Sequence, residues 1–223
     1  MTTTQLDPVL TPAPVARIVP RVAADSRYVL TGLPLAAGAL LVPVTALAIG
    51  AGLAVAWVGL PLMMFAVMQA RGFAVTERER VAVVLGQEIP HPDYRTVEAS
   101  SLPGKLLSVL RDRQTWRDLA HAAFRWIPST VAFTLVATWW AAILGGLSWA
   151  LWGWALPEEG VELPELIGLG DGYPTMIGFH AAVAMVFVLT LPPVARWAAR
   201  LEARFAERLL APRPRSEWRA VVR

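Results

Sequence analysis

Residues 28–70 read YVLTGLPLAAGALLVPVTALAIGAGLAVAWVGLPLMMFAVMQA, 43 consecutive positions without a charged side chain. One helix needs about 20 apolar residues to cross the hydrocarbon of a bilayer. The run therefore fits two crossings joined by a very tight turn. Gly50-Ala51-Gly52 marks that turn, because glycine punctuates helices. Span one is then 29–49 and span two 53–70. Pro34, Pro43 and Pro61 fall inside them. Proline removes a backbone donor and kinks a helix, which a membrane bundle tolerates when neighbours satisfy the freed carbonyl.

Two more uncharged runs follow, 126–156 and 172–195. They predict span three over 128–152 and span four over 173–191. Trp149, Trp152 and Trp154 suit the outer headgroup level and Trp126 the inner one, since an indole ring is apolar with one N–H that wants a partner. Pro192-Pro193 is expected to bend or stop the fourth helix. The predicted fold is all-α: an integral membrane four-helix bundle built from two transmembrane hairpins, with cytoplasmic amphipathic helices.

The 20 Lys and Arg fall in three blocks, 17–27, 71–125 and 196–223. The polar stretch Pro157–Asp171 has none and carries five acids: Glu158, Glu159, Glu162, Glu165 and Asp171. Lys/Arg bias in short loops sets membrane orientation. The expectation is a multi-pass protein of the cell membrane with both termini cytoplasmic. Residues 1–24 read as a disordered arm, 71–126 as the cytoplasmic loop, 194–211 as an interfacial helix and 212–223 as a disordered tail. The N-terminal region lacks the pattern of a cleavable signal peptide.

Composition agrees. Hydrophobic residues make up 56%, charged residues only 17%, and mean hydropathy is +0.49. A pI near 9.9 follows from topogenic arginine and attracts anionic lipid, so no nucleic-acid partner is expected. Cysteine is absent, which excludes thiol chemistry. His91, His121 and His180 are scattered, which argues against a His metal site. Phosphate loops and nucleophile elbows are missing. No catalytic residue, metal or cofactor is expected.

Three groups of residues stand out. Thr130, Thr134, Thr138, Ala142, Gly146 and Ala150 form a small-residue ladder in span three. Such ladders let helix backbones approach closely, either inside the bundle or across a homodimer. His180 lies about two turns into span four. An intramembrane titratable group is a functional candidate, and its plainer role is a hydrogen bond to a neighbouring helix. Trp139 and Trp140 sit deeper than an interfacial belt requires. They either line an apolar pocket or pack.

The cytoplasmic segments have helical periodicity. Thr115–Arg125 reads as an amphipathic helix opened by a capping box at Thr115-Trp116-Arg117-Asp118. It either lies on the inner leaflet or meets a partner. After span four, Trp197, Leu201, Phe205 and Leu209 form one stripe, and Arg196, Arg200, Arg204 and Arg208 the next. These residues suit contact with anionic lipid or with another subunit. The stretch 88–103 reads as a loop. Ala70-Arg71, Ala74 and Glu77 match Ala195-Arg196, Ala199 and Glu202 at equal spacing, which suggests a repeat of the hairpin unit.

These segments carry a resemblance. Ser26-Arg27-Tyr28-Val29-Leu30-Thr31-Gly32-Leu33-Pro34-Leu35 is followed by Gly59-Leu60-Pro61-Leu62 and Ala70-Arg71-Gly72-Phe73-Ala74. Thr115-Trp116-Arg117-Asp118-Leu119 precedes span three, and Arg200-Leu201-Glu202-Ala203-Arg204-Phe205-Ala206-Glu207-Arg208-Leu209-Leu210 follows span four. Together they resemble the sensor domain found at the N-terminus of many actinobacterial two-component histidine kinases, in its free-standing form. The resemblance covers about 25–212. It implies a domain that receives a membrane or envelope signal. No phosphoacceptor His motif or ATP-binding domain follows, so a non-enzymatic sensor acting through a separate kinase or regulator is expected. The alternative is an accessory or structural subunit of a membrane transporter or membrane enzyme complex.

Overall fold

The computed structural model describes residues 14–87, 89–92, 94, 101–156 and 163–211. Among these residues every regular element is helical. The long helices are α1 (Pro14–Gly52), α2 (Gly59–Leu85), α5 (Trp126–Leu147) and α8 (Tyr173–Leu210). Shorter ones are α3 (Leu102–Leu110), α4 (Arg113–Phe124), α6 (Trp149–Trp152) and α7 (Leu163–Leu166). Four helical stretches are long and apolar enough to cross a membrane: Ile18–Gly52, Gly59–Leu85, Arg113–Leu147 and Tyr173–Leu210. Their outer faces carry exposed apolar side chains such as Leu41, Met68, Leu144, Val186 and Leu189. Apolar surface of this extent, on helices with internally satisfied backbones, suits lipid.

Several boundaries differ from the sequence expectation. The arm is helical from Pro14, and Val22 packs against the core. That contact supplies the burial that composition alone did not announce. Residues 1–13 and 212–223 lie outside the described residues. The first turn falls at 53–58 rather than 50–52. Trp57 closes it in the left-handed region at φ 61°, where a non-glycine residue is uncommon. The loop 71–126 is largely helical, since α2 runs on to Leu85 and α3 and α4 follow. α3 begins inside the expected loop, where the Ser101 hydroxyl accepts from the Gly104 amide at 3.4 Å. The cap of α4 is Asp112, whose carboxylate accepts from the Gln114 amide at 3.0 Å. Thr115 is not a cap, because its hydroxyl is held by Arg71 at 2.8 Å. α5 ends at Leu147, short of the expected 152. Pro192-Pro193 does not stop α8, which is continuous to Leu210. The expected interfacial helix is the second half of that one helix.

α1 and α2 pack antiparallel, with Gly38 against Phe73 and Gly50 against Met63. α5 and α8 also pack antiparallel, with Gly146 against Ala184 and Trp139 bonded to Thr190. The two pairs do not lie side by side through their spans, as a simple bundle would. Ala39, Val67 and Ala70 in the apolar half of the first pair bury against Leu119 and Ala122 of α4. The pairs meet where Tyr28, Val29, Ala74 and Val81 of the first share one apolar core with Ala132, Val136, Leu191 and Ala195 of the second, and charged residues flank that core. Asp25 pairs with Arg196, and farther along both helices Gly32 faces Glu202. α1 and α8 therefore run in the same sense at this junction, whereas alternating spans would oppose them. Two demands are met at this junction: buried charges find partners there, and apolar side chains of both pairs are removed from solvent together.

Candidate functional site

The junction is built from five segments. The charged turn Glu77-Arg78-Glu79-Arg80 of α2 is its centre. Glu77 and Arg78 are buried although they are adjacent in the chain. Adjacent helical residues do not share a face, so each side chain needs its own set of partners. Glu77 takes one set. Its carboxylate accepts from the Tyr28 hydroxyl at 2.8 Å and from Arg80 at 2.9 Å. It also pairs with Arg125 at 2.8 Å. The Arg125 Nη2 lies 3.8 Å from the Glu202 carboxylate. One arginine thus bridges two buried glutamates, one from each helix pair. Arg125 sits between α4 and α5, and its amide continues the helix by donating to the His121 carbonyl at 2.9 Å. Arg80 adds a second tie to α1, donating to the Tyr28 carbonyl at 2.7 Å and the Thr31 hydroxyl at 2.9 Å.

Arg78 takes the other set. It donates to Asp118 at 3.1 Å and to the Leu210 carbonyl at 3.4 Å. Asp118 also accepts from Tyr94 at 2.7 Å and Gln114 at 2.9 Å. Burial, together with the nearby Asp118 carboxylate, pushes the Tyr94 phenol up to about 12, so it stays a donor. Arg117 reaches the same end of α8 and donates to the Arg208 carbonyl at 2.6 Å and the Ala211 carbonyl at 2.8 Å. The last carbonyls of a helix lack intrahelical partners and attract cations. The C-terminal end of α8 is thereby clamped by one arginine from α2 and one from α4.

The junction is tight and incompletely paired. A methyl group on Gly32 would stand 2.6 Å from the Glu202 carboxylate. Both ring nitrogens of His121 are buried without a hydrogen-bond partner, and the buried Glu202 carboxylate has only the Ser129 hydroxyl and the long 3.8 Å contact to Arg125 beside it. Such groups cost about 1–3 kcal/mol each. A buried ion pair seldom adds net stability, yet removing one partner is severe. The arrangement therefore fixes a particular helix packing more than it stabilises the fold. Among the described residues no three His, Asp or Glu side chains converge as a metal site.

The residues singled out in the sequence lie elsewhere. His180 donates from Nδ1 to the Met176 carbonyl at 2.9 Å and stacks on Trp149 at 3.7 Å. Trp139 donates to Thr190 at 3.0 Å, and Trp140 donates to Ser26 at 3.1 Å. His180 and the Trp pair are thus not brought together. Trp140 instead ties span three to α1. Gly146 packs within the chain, since a Cβ there would stand 2.7 Å from the His180 carbonyl oxygen. Ala142 is half-buried, while Thr134 and Thr138 are exposed. On α8 the buried face is Ala195, Ala198, Ala199, Glu202, Ala203, Ala206 and Leu210. Trp197 is exposed and Phe205 half-buried, so the aromatic stripe is not the packing face. Arg200, Arg204 and Arg208 are exposed beside it, and Arg196 is half-buried on Asp25.

Glu77, Arg78, Asp118, Arg125 and Glu202 were not anticipated as site residues. One signal pointed to them. The repeated Ala-Arg-Ala-Glu spacing places Glu77 and Glu202 at matching positions, and both face Arg125.

The family described as "Putative sensor" matches residues 28–210. No curated protein and no solved structure matches the chain. The chain belongs to that sensor family.

Proposed function

We propose that this member of the sensor family is a non-enzymatic membrane signalling subunit that acts through a separate kinase or regulator. The observation that carries this reading is the clamp on α8. The ionic junction touches all four long helices, and two of its arginines hold the α8 end. A displacement of either helix pair changes the geometry around Arg125. Arg78 and Arg117 bring α2 and α4 to bear on the same end. Spatial connection alone is not coupling, so the test has to read output.

In this reading the charged junction faces the cytoplasm and the two apolar turns face outward. Because α1 and α8 run the same way at the junction, hairpins entering one bilayer must change direction between junction and span. Pro34 stands just beyond Gly32, and Pro192-Pro193 just before Arg196. α1 and α8 run unbroken through these prolines, and each proline, by removing a backbone donor, is the place in its helix where a bend costs least.

The test is affinity recovery of the tagged chain from native membranes, followed by mass spectrometry. A kinase or response regulator is expected with the wild type. Arg117→Gln, which releases two α8 carbonyls, is expected to lower that recovery several-fold while membrane insertion is unchanged. Recovery of transporter or membrane-enzyme subunits would support the accessory reading instead. Equal recovery by Arg117→Gln would remove the α8 end from the output path.

A further inference from the structure

A groove of about 550 Å³ runs along the outer side of α8 against the start of α5. Pro128 and Pro193 lie at one end, and Arg200, Arg204 and Arg208 line it together with Trp197 and Phe205. We propose that this groove binds the headgroups of anionic phospholipid from the cytoplasmic leaflet.

Charge complementarity selects the occupant. Arg200, Arg204 and Arg208 are exposed, and among the described residues none of them has a carboxylate partner. The acids of α8 are committed elsewhere. Glu202 is buried on the opposite face toward Arg125, and Glu207 accepts from Gln87. Guanidinium groups match phosphate oxygens in a bidentate fork. The apolar part of the groove is the second observation. Trp197 is 54% exposed, and it lines the groove together with Pro128, Leu201 and Phe205. Exposed tryptophan beside arginine, directly adjoining an uncharged span, is the pattern of a headgroup-level anchor. A soluble acidic protein would meet the arginines and leave these rings wet. A lipid meets both, with phosphate on the arginines and glycerol and upper acyl chain on the rings.

The test uses the full chain purified in zwitterionic detergent and titrated with short-chain phosphatidylglycerol or short-chain phosphatidylcholine. Binding is read by thermophoresis. Phosphatidylglycerol is expected to bind at least tenfold more tightly than phosphatidylcholine. Each arginine near a membrane surface contributes about a fivefold factor. The triple variant Arg200→Gln, Arg204→Gln, Arg208→Gln is therefore expected to lose at least tenfold, and the corresponding triple Lys variant to keep most of the affinity. Should the triple Gln variant not insert, Arg204→Gln alone is expected to lose about fivefold by the same factor. Equal binding of the two lipids by the wild type would overturn the proposal. So would undiminished phosphatidylglycerol affinity in the Gln variants. Inorganic phosphate binding as tightly as phosphatidylglycerol would also overturn it, by assigning the site to a free anion.

Discussion

Arg125→Met is expected to lower stability by about 3–5 kcal/mol, the penalty of leaving buried charge without its partner. Arg125 is 2% exposed and stands between Glu77 and Glu202. Glu77 keeps Tyr28 and Arg80 when the guanidinium is gone. Glu202 keeps only the Ser129 hydroxyl beside it. For a chain of this size that loss corresponds to a melting shift of roughly 6–20 °C. Heating followed by gel filtration of the detergent-solubilised protein measures it. Adding Glu202→Gln to Arg125→Met removes the stranded carboxylate and is expected to restore part of the loss, because residues in contact couple. A shift smaller than about 2 °C, below the effect of one kcal/mol, would mean that the bridge carries little of the packing.

Gly59→Ala is the second large effect. Gly59 opens α2, and its added methyl would overlap the Gly50 carbonyl oxygen and approach the Ala54 amide to 2.5 Å. All of these are backbone atoms, so no side chain can swing aside. Overpacking of this kind costs about 1–3 kcal/mol and more where the backbone cannot yield. The expected loss is about 3 kcal/mol, with the turn at 53–58 opening. Gly72→Ala provides the contrast. Nothing lies within 4 Å of its added methyl, and replacing a helix-interior glycine is expected to gain about 0.5–1 kcal/mol. The same thermal assay compares the two. Equal behaviour would contradict the close approach of α1 and α2.

The apolar spans were legible because charge is excluded from them over long runs, as in residues 28–70. Periodicity also announced the helix after span four. It did not identify the face packed inside the fold, which is Ala195, Ala199 and Glu202 rather than the stripe Trp197, Leu201 and Phe205 that the sequence offers to lipid or another subunit. Small residues won because they let α8 lie close against its neighbours, where Ala195, Ala198, Ala199 and Ala203 are fully buried. The junction was hidden for a different reason. Arg125 and Glu202 are far apart in the chain, and topogenic charge looks the same in sequence whether it is solvated or buried. Only the matched spacing of Ala70, Ala74 and Glu77 with Ala195, Ala199 and Glu202 hinted at it. All six prove buried. The clamp by Arg78 and Arg117 left no trace in the sequence, because its acceptors are backbone carbonyls.

The central claim is that one charged junction on the cytoplasmic side serves two hairpins that both cross the bilayer. Thiol labelling tests it directly, since the chain has no cysteine of its own. Val55→Cys in the first turn and Leu166→Cys in the second are both at exposed positions, as is Ser101→Cys at the cap of α3, in the segment between α2 and α4. In intact cells a membrane-impermeant maleimide is expected to label the Val55 and Leu166 variants, and the Ser101 variant only after permeabilisation. Labelling of the Ser101 variant in intact cells, or protection of either turn, would contradict the account.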